Sequence, residues 1–201
     1  MKLQIIVGST RPERVSDRVA KWVAKAAAQL SDSEVEIVDL ADYNLPFFNE
    51  TMSPQFNPNR QSVPSVRRWL DKLSQADAYV LVTPEYNRSY SAVLKNALDF
   101  IDFQISQKPV ALVAHGTTGG AQAVAHLRGV LAGLRSFTTP SATYLLGRAG
   151  DLLDETGEIK NEEIKNSKMG PQAALANTLN ELKWYADALS AARAQKEAAY
   201  A

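Results

Sequence analysis

The chain contains no cysteine. That excludes disulfides, thiolate metal sites, a cysteine nucleophile and cysteine-ligated iron–sulfur clusters. It also fits a reducing, cytoplasmic setting, which is the expected localisation. An excess of one charge is missing too: 22 Lys and Arg balance 22 Asp and Glu. Nucleic-acid binders need a basic excess to neutralise phosphates, so no nucleic-acid partner is expected. No stretch approaches the roughly 20 uncharged apolar residues of a spanning helix, so no membrane partner is expected. The apolar run Leu3 to Val7 is too short for the core of a signal peptide. Histidine is scarce, with two in the chain, His115 and His126. They show no metal-ligand spacing, so no metal is expected, and no carboxylate pair stands out for hydrolysis.

What is present is an alternation of two periods. Leu3 to Val7 is a compact apolar run that reads as a buried parallel strand. From Ser16 to Leu30 the spacing turns helical, with Val19, Trp22, Val23, Ala26, Ala27 and Leu30 on one face. Val35 to Leu40, Ala78 to Thr83 and Pro109 to Ala114 read as further strands, and Thr138 to Leu146 contains a fifth. Between them, Val63 to Leu73, Leu94 to Ile101 and Val124 to Leu134 have helical spacing. Asn44 to Pro64 reads as a long loop, of a kind that is often functional. Gly147 to Lys168 is polar and reads as irregular. Leu175, Leu179, Leu182 and Leu189 mark a C-terminal helix over 169–198, and the Ala-rich tail after Ser190 is expected to fray.

Strands alternating with helices predict an α/β fold of three layers, a five-stranded parallel sheet with helices on both faces. A chain of 201 residues suits one domain over 1–201. Right-handed crossovers limit the strand orders, and 2-1-3-4-5 fits this size. In such sheets ligands sit outside the carboxyl ends of the strands, where the winding reverses. The loops after strands one, three and four meet there.

These loops hold the most unusual residues. The first, Gly8 to Ser16, opens onto a helix whose N-terminus accepts phosphate readily. Ser9, Thr10 and Ser16 offer hydroxyls, and Arg11 and Arg14 offer charge-assisted bonds. The alternative has Ser16 as an ordinary helix cap and the arginines solvated. With Gly8 as its one glycine, the loop matches neither the ATP-type phosphate loop nor the dinucleotide Gly-x-Gly-x-x-Gly pattern. The second loop, Thr83 to Ser91, offers a rigid platform at Pro84 and a donor–acceptor side chain at Asn87, which suits a flat heteroaromatic ligand. The alternative is a plain strand–helix link with Ser91 as cap; Lys95 and Asn96 read as solvated or structural. In the third loop, Ala114 to Gly120, the glycines allow close backbone approach to a ligand. His115 is either a ligand contact or a hydrogen-bonded loop histidine. His126 reads as structural.

Pro84-Glu85-Tyr86-Asn87 followed by Leu94-Lys95-Asn96-Ala97-Leu98-Asp99, with Gly8-Ser9-x-Arg11 after the first strand, resembles the NADPH-dependent FMN reductase family of flavodoxin-like proteins, over roughly Lys2 to Tyr144. That family includes quinone reductases and azoreductases. The resemblance implies a flavodoxin-like fold and non-covalent FMN. It implies phosphate binding at Ser9, Arg11, Val15 and Ser16, with Arg14 added as a neighbouring cation. It implies isoalloxazine contacts at Pro84, Glu85, Tyr86 and Asn87, and a loop with His115, Gly116, Gly119 and Gly120 closing the other side of the ring. It also implies a homodimer or homotetramer in which a partner subunit helps shape the site. Two departures stand out. Arg88 follows the Pro-Glu-Tyr-Asn run where the family often has glycine, which makes Arg88, with His115, the expected substrate-binding pair. The third loop, His-Gly-Thr-Thr-Gly-Gly, lacks the Ser-Pro start of many members and looks closer to the quinone reductase branch.

The implied activity is hydride transfer from NADPH or NADH through FMN to a quinone, azo compound or free flavin. The flavin N5 carries the chemistry, so no catalytic side chain is expected. The alternatives are a flavodoxin-like electron carrier and a redox-sensing FMN-binding module. Carriers of that kind are strongly acidic, whereas this chain is balanced.

Overall fold

The computed structural model describes residues 1–200, with side chains placed for 1–195. β1 (Lys2–Val7), β2 (Glu34–Asp39), β3 (Ala78–Pro84) and β4 (Pro109–Gly116) form the body of a parallel sheet in the order β2-β1-β3-β4. β1, β3 and β4 are buried almost throughout, which is why they read as continuous apolar runs. β2 lies at the edge and alternates only partly.

Helices cover both faces. On one face α2 (Pro64–Ser74), α3 (Ala92–Asp99) and α4 (Ala121–Gly133) bury Trp69, Leu73, Leu94, Leu98, Leu127 and Leu131 against Ile6, Leu81 and Leu112. On the other, α1 (Ser16–Ala27) and α7 (Pro171–Tyr200) bury Val19, Val23, Leu175, Leu179 and Leu182 against Ile5, Val80 and Val113. The alternation of β1 residues between the two clusters is the two-residue period of a strand covered twice. α7 begins two residues later than the predicted 169 and continues past Ser190 to Tyr200, where fraying is predicted.

The fifth strand position differs from the expectation. It is filled by two pieces, β5 (Phe137–Thr138) and β6 (Thr143–Leu146), each paired with β4. Pro140 lies between them and has no N–H to give the ladder. Side chains take over the polar groups at the break. Arg128 donates to the carbonyls of Thr139 at 2.7 Å and Pro140 at 2.8 Å, and Glu181 accepts from the N–H of Ser141 at 2.8 Å.

The stretch after β6 is also more ordered than its polarity suggests. It holds α5 (Ala149–Leu152) and α6 (Glu162–Asn166), with Leu153 and Ile159 bridged and buried in the core under α1 and α7. The long loop 44–64 is pinned rather than loose. The Oδ1 of Asn96 accepts from the N–H of Phe48 at 2.8 Å, and its Nδ2 donates to the carbonyl of Pro46 at 2.7 Å. Arg60 is 6% exposed and pairs with Glu50 at 2.6 Å and Asp102 at 2.8 Å. Asn96 is thus structural, and Lys95 makes a surface pair with Asp99 at 2.6 Å.

Candidate active site

The loops after β1, β3 and β4 meet at the carboxyl edge of the sheet, and the segment after β6 joins them. The first loop enters close to β3: the N–H of Gly8 donates to Val82 O at 2.8 Å. A Cβ on Gly8 would lie 2.7 Å from that carbonyl, so only glycine allows the approach. Among the described residues, no backbone N–H from Ser9 to Val15 donates to another protein group. α1 follows directly, with Val15 as N-cap and no side-chain cap. The loop thus leads into the unpaired N–H groups of an uncapped helix start, an arrangement that attracts an anion.

Ser16 is not the cap. It is 1% exposed, and its Oγ lies 2.9 Å from Nε2 of His115. His115 is the penultimate residue of β4 rather than part of a loop, and it is 5% exposed. Burial pushes its pKa down to about 4, because a desolvated imidazolium is disfavoured. The imidazole is therefore neutral at physiological pH.

The second loop is tied to both others. Ser9 Oγ and Tyr86 Oη lie 3.3 Å apart, and the Arg11 guanidinium sits 5.8 Å from the Tyr86 ring centroid. The N–H of Glu85 donates to His115 O at 2.9 Å. The Glu85 carboxylate accepts from Thr118 Oγ1 at 3.0 Å and from the N–H groups of Gln122 at 3.0 Å and Ala123 at 3.4 Å. It caps α4 from another loop. α4 itself starts at Gly120, whose φ is 85°, and a Cβ there would lie 2.4 Å from that of Ala114. Ser91 caps α3 by accepting from Leu94 N–H at 3.2 Å, and its hydroxyl donates to Gly8 O. His126 Nδ1 lies 3.0 Å from Ser89 Oγ and ties α4 to the second loop.

A cavity of about 690 Å³ opens between these loops, within the range of cofactor sites. Of the residues predicted for the site, Arg11, Arg14, Val15 and Ser16 line one side. Pro84, Glu85 and Tyr86 line the middle, and His115 and Gly116 the floor. Five predicted residues lie elsewhere. Ser9 is buried beneath Tyr86, Gly119 packs on Tyr144 and Leu146, and Gly120 packs on Ala114. Asn87, with Arg88, lines a neighbouring cavity. Arg14 lines the main cavity while pairing with Asp39 at the end of β2.

The segment Gly147 to Asp151 completes the wall, with Arg148 adding a cation. Sequence reasoning missed it because the segment was read as irregular. A signal was present: it directly follows the last strand, at the same sheet edge as the other loops.

A family model for NADPH-dependent FMN reductase matches residues 1–151. The chain belongs to the NADPH-dependent FMN reductase family. It is 29% identical over 182 residues to an NAD(P)H-dependent FMN reductase of Schizosaccharomyces pombe, covering 90% of this chain and 85% of that protein. It is 31% identical over 165 residues to a quinone reductase of Pseudomonas putida, covering 79% of this chain and 84% of the other. The fold is that of the flavoenzyme NAD(P)H:(acceptor) oxidoreductase of Paracoccus denitrificans, with a TM-score of 0.70 at 24% identity over 92% of this chain and 96% of that one. The expected flavodoxin-like fold, the oxidoreductase class and the use of FMN with NAD(P)H agree with this membership. The unpaired loop donors, the uncapped α1 and the arginines fit the phosphate of FMN.

The buried His115 makes stability depend on pH. An unfolded histidine takes a proton below about pH 6.5. The folded one resists until about pH 4. The unfolded state binds more protons between these values, so stability falls as pH drops through the window, by on the order of 3 kcal/mol. His115→Gln is expected to flatten this slope. Urea unfolding at several pH values between 7 and 4 checks it; an unchanged slope would assign the acid sensitivity to other groups.

Proposed function

We propose that this flavoenzyme, acting as one domain over 1–201, reduces small quinones, azo compounds or free flavin at the expense of NADPH or NADH. The observation that carries the reading is one cavity between the α1 start and the Pro84–Tyr86 platform. It joins the donor-rich start of α1 to a rigid wall beside it, and its lining holds Arg11, Arg14 and Arg148 together with Glu13, Glu85 and Asp151. The balanced reaction is NAD(P)H + H⁺ + quinone giving NAD(P)⁺ + hydroquinone. FMN, when bound, supplies the two-electron chemistry.

The protein's residues bind and orient. Arg11 and the unpaired N–H groups of the first loop and α1 hold the phosphate. Ser16 is fixed for this by His115, and Arg148 adds positive charge from the segment that packs beside the α1 start. Pro84, Glu85 and Tyr86 support the ring, with the Glu85 carboxylate turned away onto α4. Neutral His115 and Gly116 line the cavity without adding to its charge. Asn87 and Arg88 lie outside this cavity and line its neighbour.

No helix among the described residues is long and apolar enough to cross a membrane. We place the enzyme in the cytoplasm, with small-molecule partners and no nucleic acid. We take the assembly to be the homodimer or homotetramer that the family resemblance implies.

Donor and acceptor share one cavity in turn. Steady-state NADPH oxidation with a small quinone, and no partner protein, is expected to give parallel double-reciprocal lines. Intersecting lines would require both substrates to be bound at once, and turnover only with an added protein partner would favour the electron-carrier reading. Arg11→Ala is expected to weaken FMN binding by about 1.5–3 kcal/mol, the range for a lost charged hydrogen bond. Fluorimetric FMN titration measures it; unchanged affinity would move Arg11 to the solvated surface.

A further inference from the structure

A second cavity, of about 500 Å³, lies against the first and is lined by Glu85, Asn87, Arg88, Thr117 and Thr118. Glu85 and Thr117 line both cavities, so the two share a wall. The second loop is folded around this space as a two-residue hairpin turn. Tyr86 N–H donates to Ser89 O at 2.8 Å, and Ser89 N–H donates to Tyr86 O at 3.0 Å. Between them Asn87 and Arg88 have φ of 49° and 67°. Two successive left-handed residues define the turn type that favours asparagine then glycine. Asparagine is in its preferred place. Arginine occupies the position where any Cβ is disfavoured.

The turn would be better served by glycine, so the reason for Arg88 lies in its side chain. That side chain is exposed and makes no salt bridge among the described residues. The other charged group of this cavity, Glu85, is already engaged by Thr118 and the start of α4. Its negative charge is offset there by the helix N-terminus. Arg88 is therefore an uncompensated cation, two residues past the segment that supports the ring, and it lines the same cavity as Thr117. The Thr118 hydroxyl already donates to Glu85. A guanidinium fork with a hydroxyl near it matches a planar or tetrahedral oxyanion.

We infer that Arg88, with Thr117, forms an anion subsite that selects electron acceptors carrying a sulfonate, carboxylate or ionised hydroxyl on their ring. This rests on the reductase reading above and names its substrate class. The adenosine phosphate of a nicotinamide donor is a rival occupant. It lies many bonds from the reacting ring, whereas Arg88 is two residues past the platform proposed to support that ring.

The test compares 1,4-naphthoquinone-2-sulfonate with neutral 1,4-naphthoquinone as acceptors for the FMN-loaded enzyme and its Arg88→Gln, Arg88→Gly and Arg88→Lys variants. The expected result is a loss of at least about tenfold in the sulfonate-to-neutral ratio of kcat/KM for Gln and Gly, carried mainly by KM, with Lys retaining part of it. High salt is expected to shrink the wild-type preference. Calorimetric binding of 9,10-anthraquinone-2-sulfonate reads the same subsite without turnover and is expected to weaken about tenfold in Arg88→Gln. An unchanged ratio overturns the inference, as does a change confined to NADPH over NADH. Arg88→Gly relieves the turn, so a folded control is available. Loss of turnover with both quinones in the wild type, with sulfonate binding intact, would instead overturn the reductase reading.

Discussion

The Glu85 carboxylate holds the carboxyl edge of the sheet together. Its backbone continues β3 beside His115, and its side chain reaches across to close the start of α4. Buried helix starts need such partners, because their first N–H groups have none within the helix. α4 begins at a left-handed glycine with no side chain to offer, so the cap is supplied from the neighbouring loop. One contact thereby fixes the spacing between the second and third loops. Ser16 and His115 do the same between the first and third, in a buried pair that stays neutral. The cavity is the space these two ties leave open.

Much of the fold was legible in the sequence because the strands are covered on both faces. A doubly buried strand is mostly apolar, and β1, β3 and β4 are, with Gln4, Thr83 and His115 as their buried polar exceptions. The broken fifth strand was less legible, since its meaning depends on Pro140 and on partners in α4 and α7 that no local pattern reveals. Ser16 was misleading for the same reason. Its position suits a cap, but a histidine 99 residues away claims its hydroxyl. Gly119 and Gly120 read as ligand contacts by composition, yet they serve packing and the turn into α4. Arg148 went unnoticed because nothing in its neighbourhood is periodic; only the topology brings it to the site.

Charge is distributed to suit the work. The chain is neutral overall, so no long-range field steers a partner protein. The cations are local: Arg11, Arg14 and Arg148 around the main cavity, and Arg88 beside the second one. Arg14 is held by Asp39 and Arg11 rests on Tyr86, so both are positioned before any ligand arrives. Such preorganisation lowers the cost of binding an anionic cofactor. The reacting groups belong to the cofactor, so the Ser16–His115 pair has a positioning part and no protein nucleophile is required.

The central claim is that the cavity holds a flavin that a nicotinamide donor can reduce. The visible spectrum of the purified protein, supplemented with FMN and then treated with NADPH in the absence of oxygen, tests it most directly. The account predicts flavin absorption bands that remain with the protein through gel filtration, bleach on adding NADPH and return on adding a quinone. A protein that retains no flavin when FMN is supplied, or whose bound flavin keeps its absorption in the presence of NADPH, would contradict it.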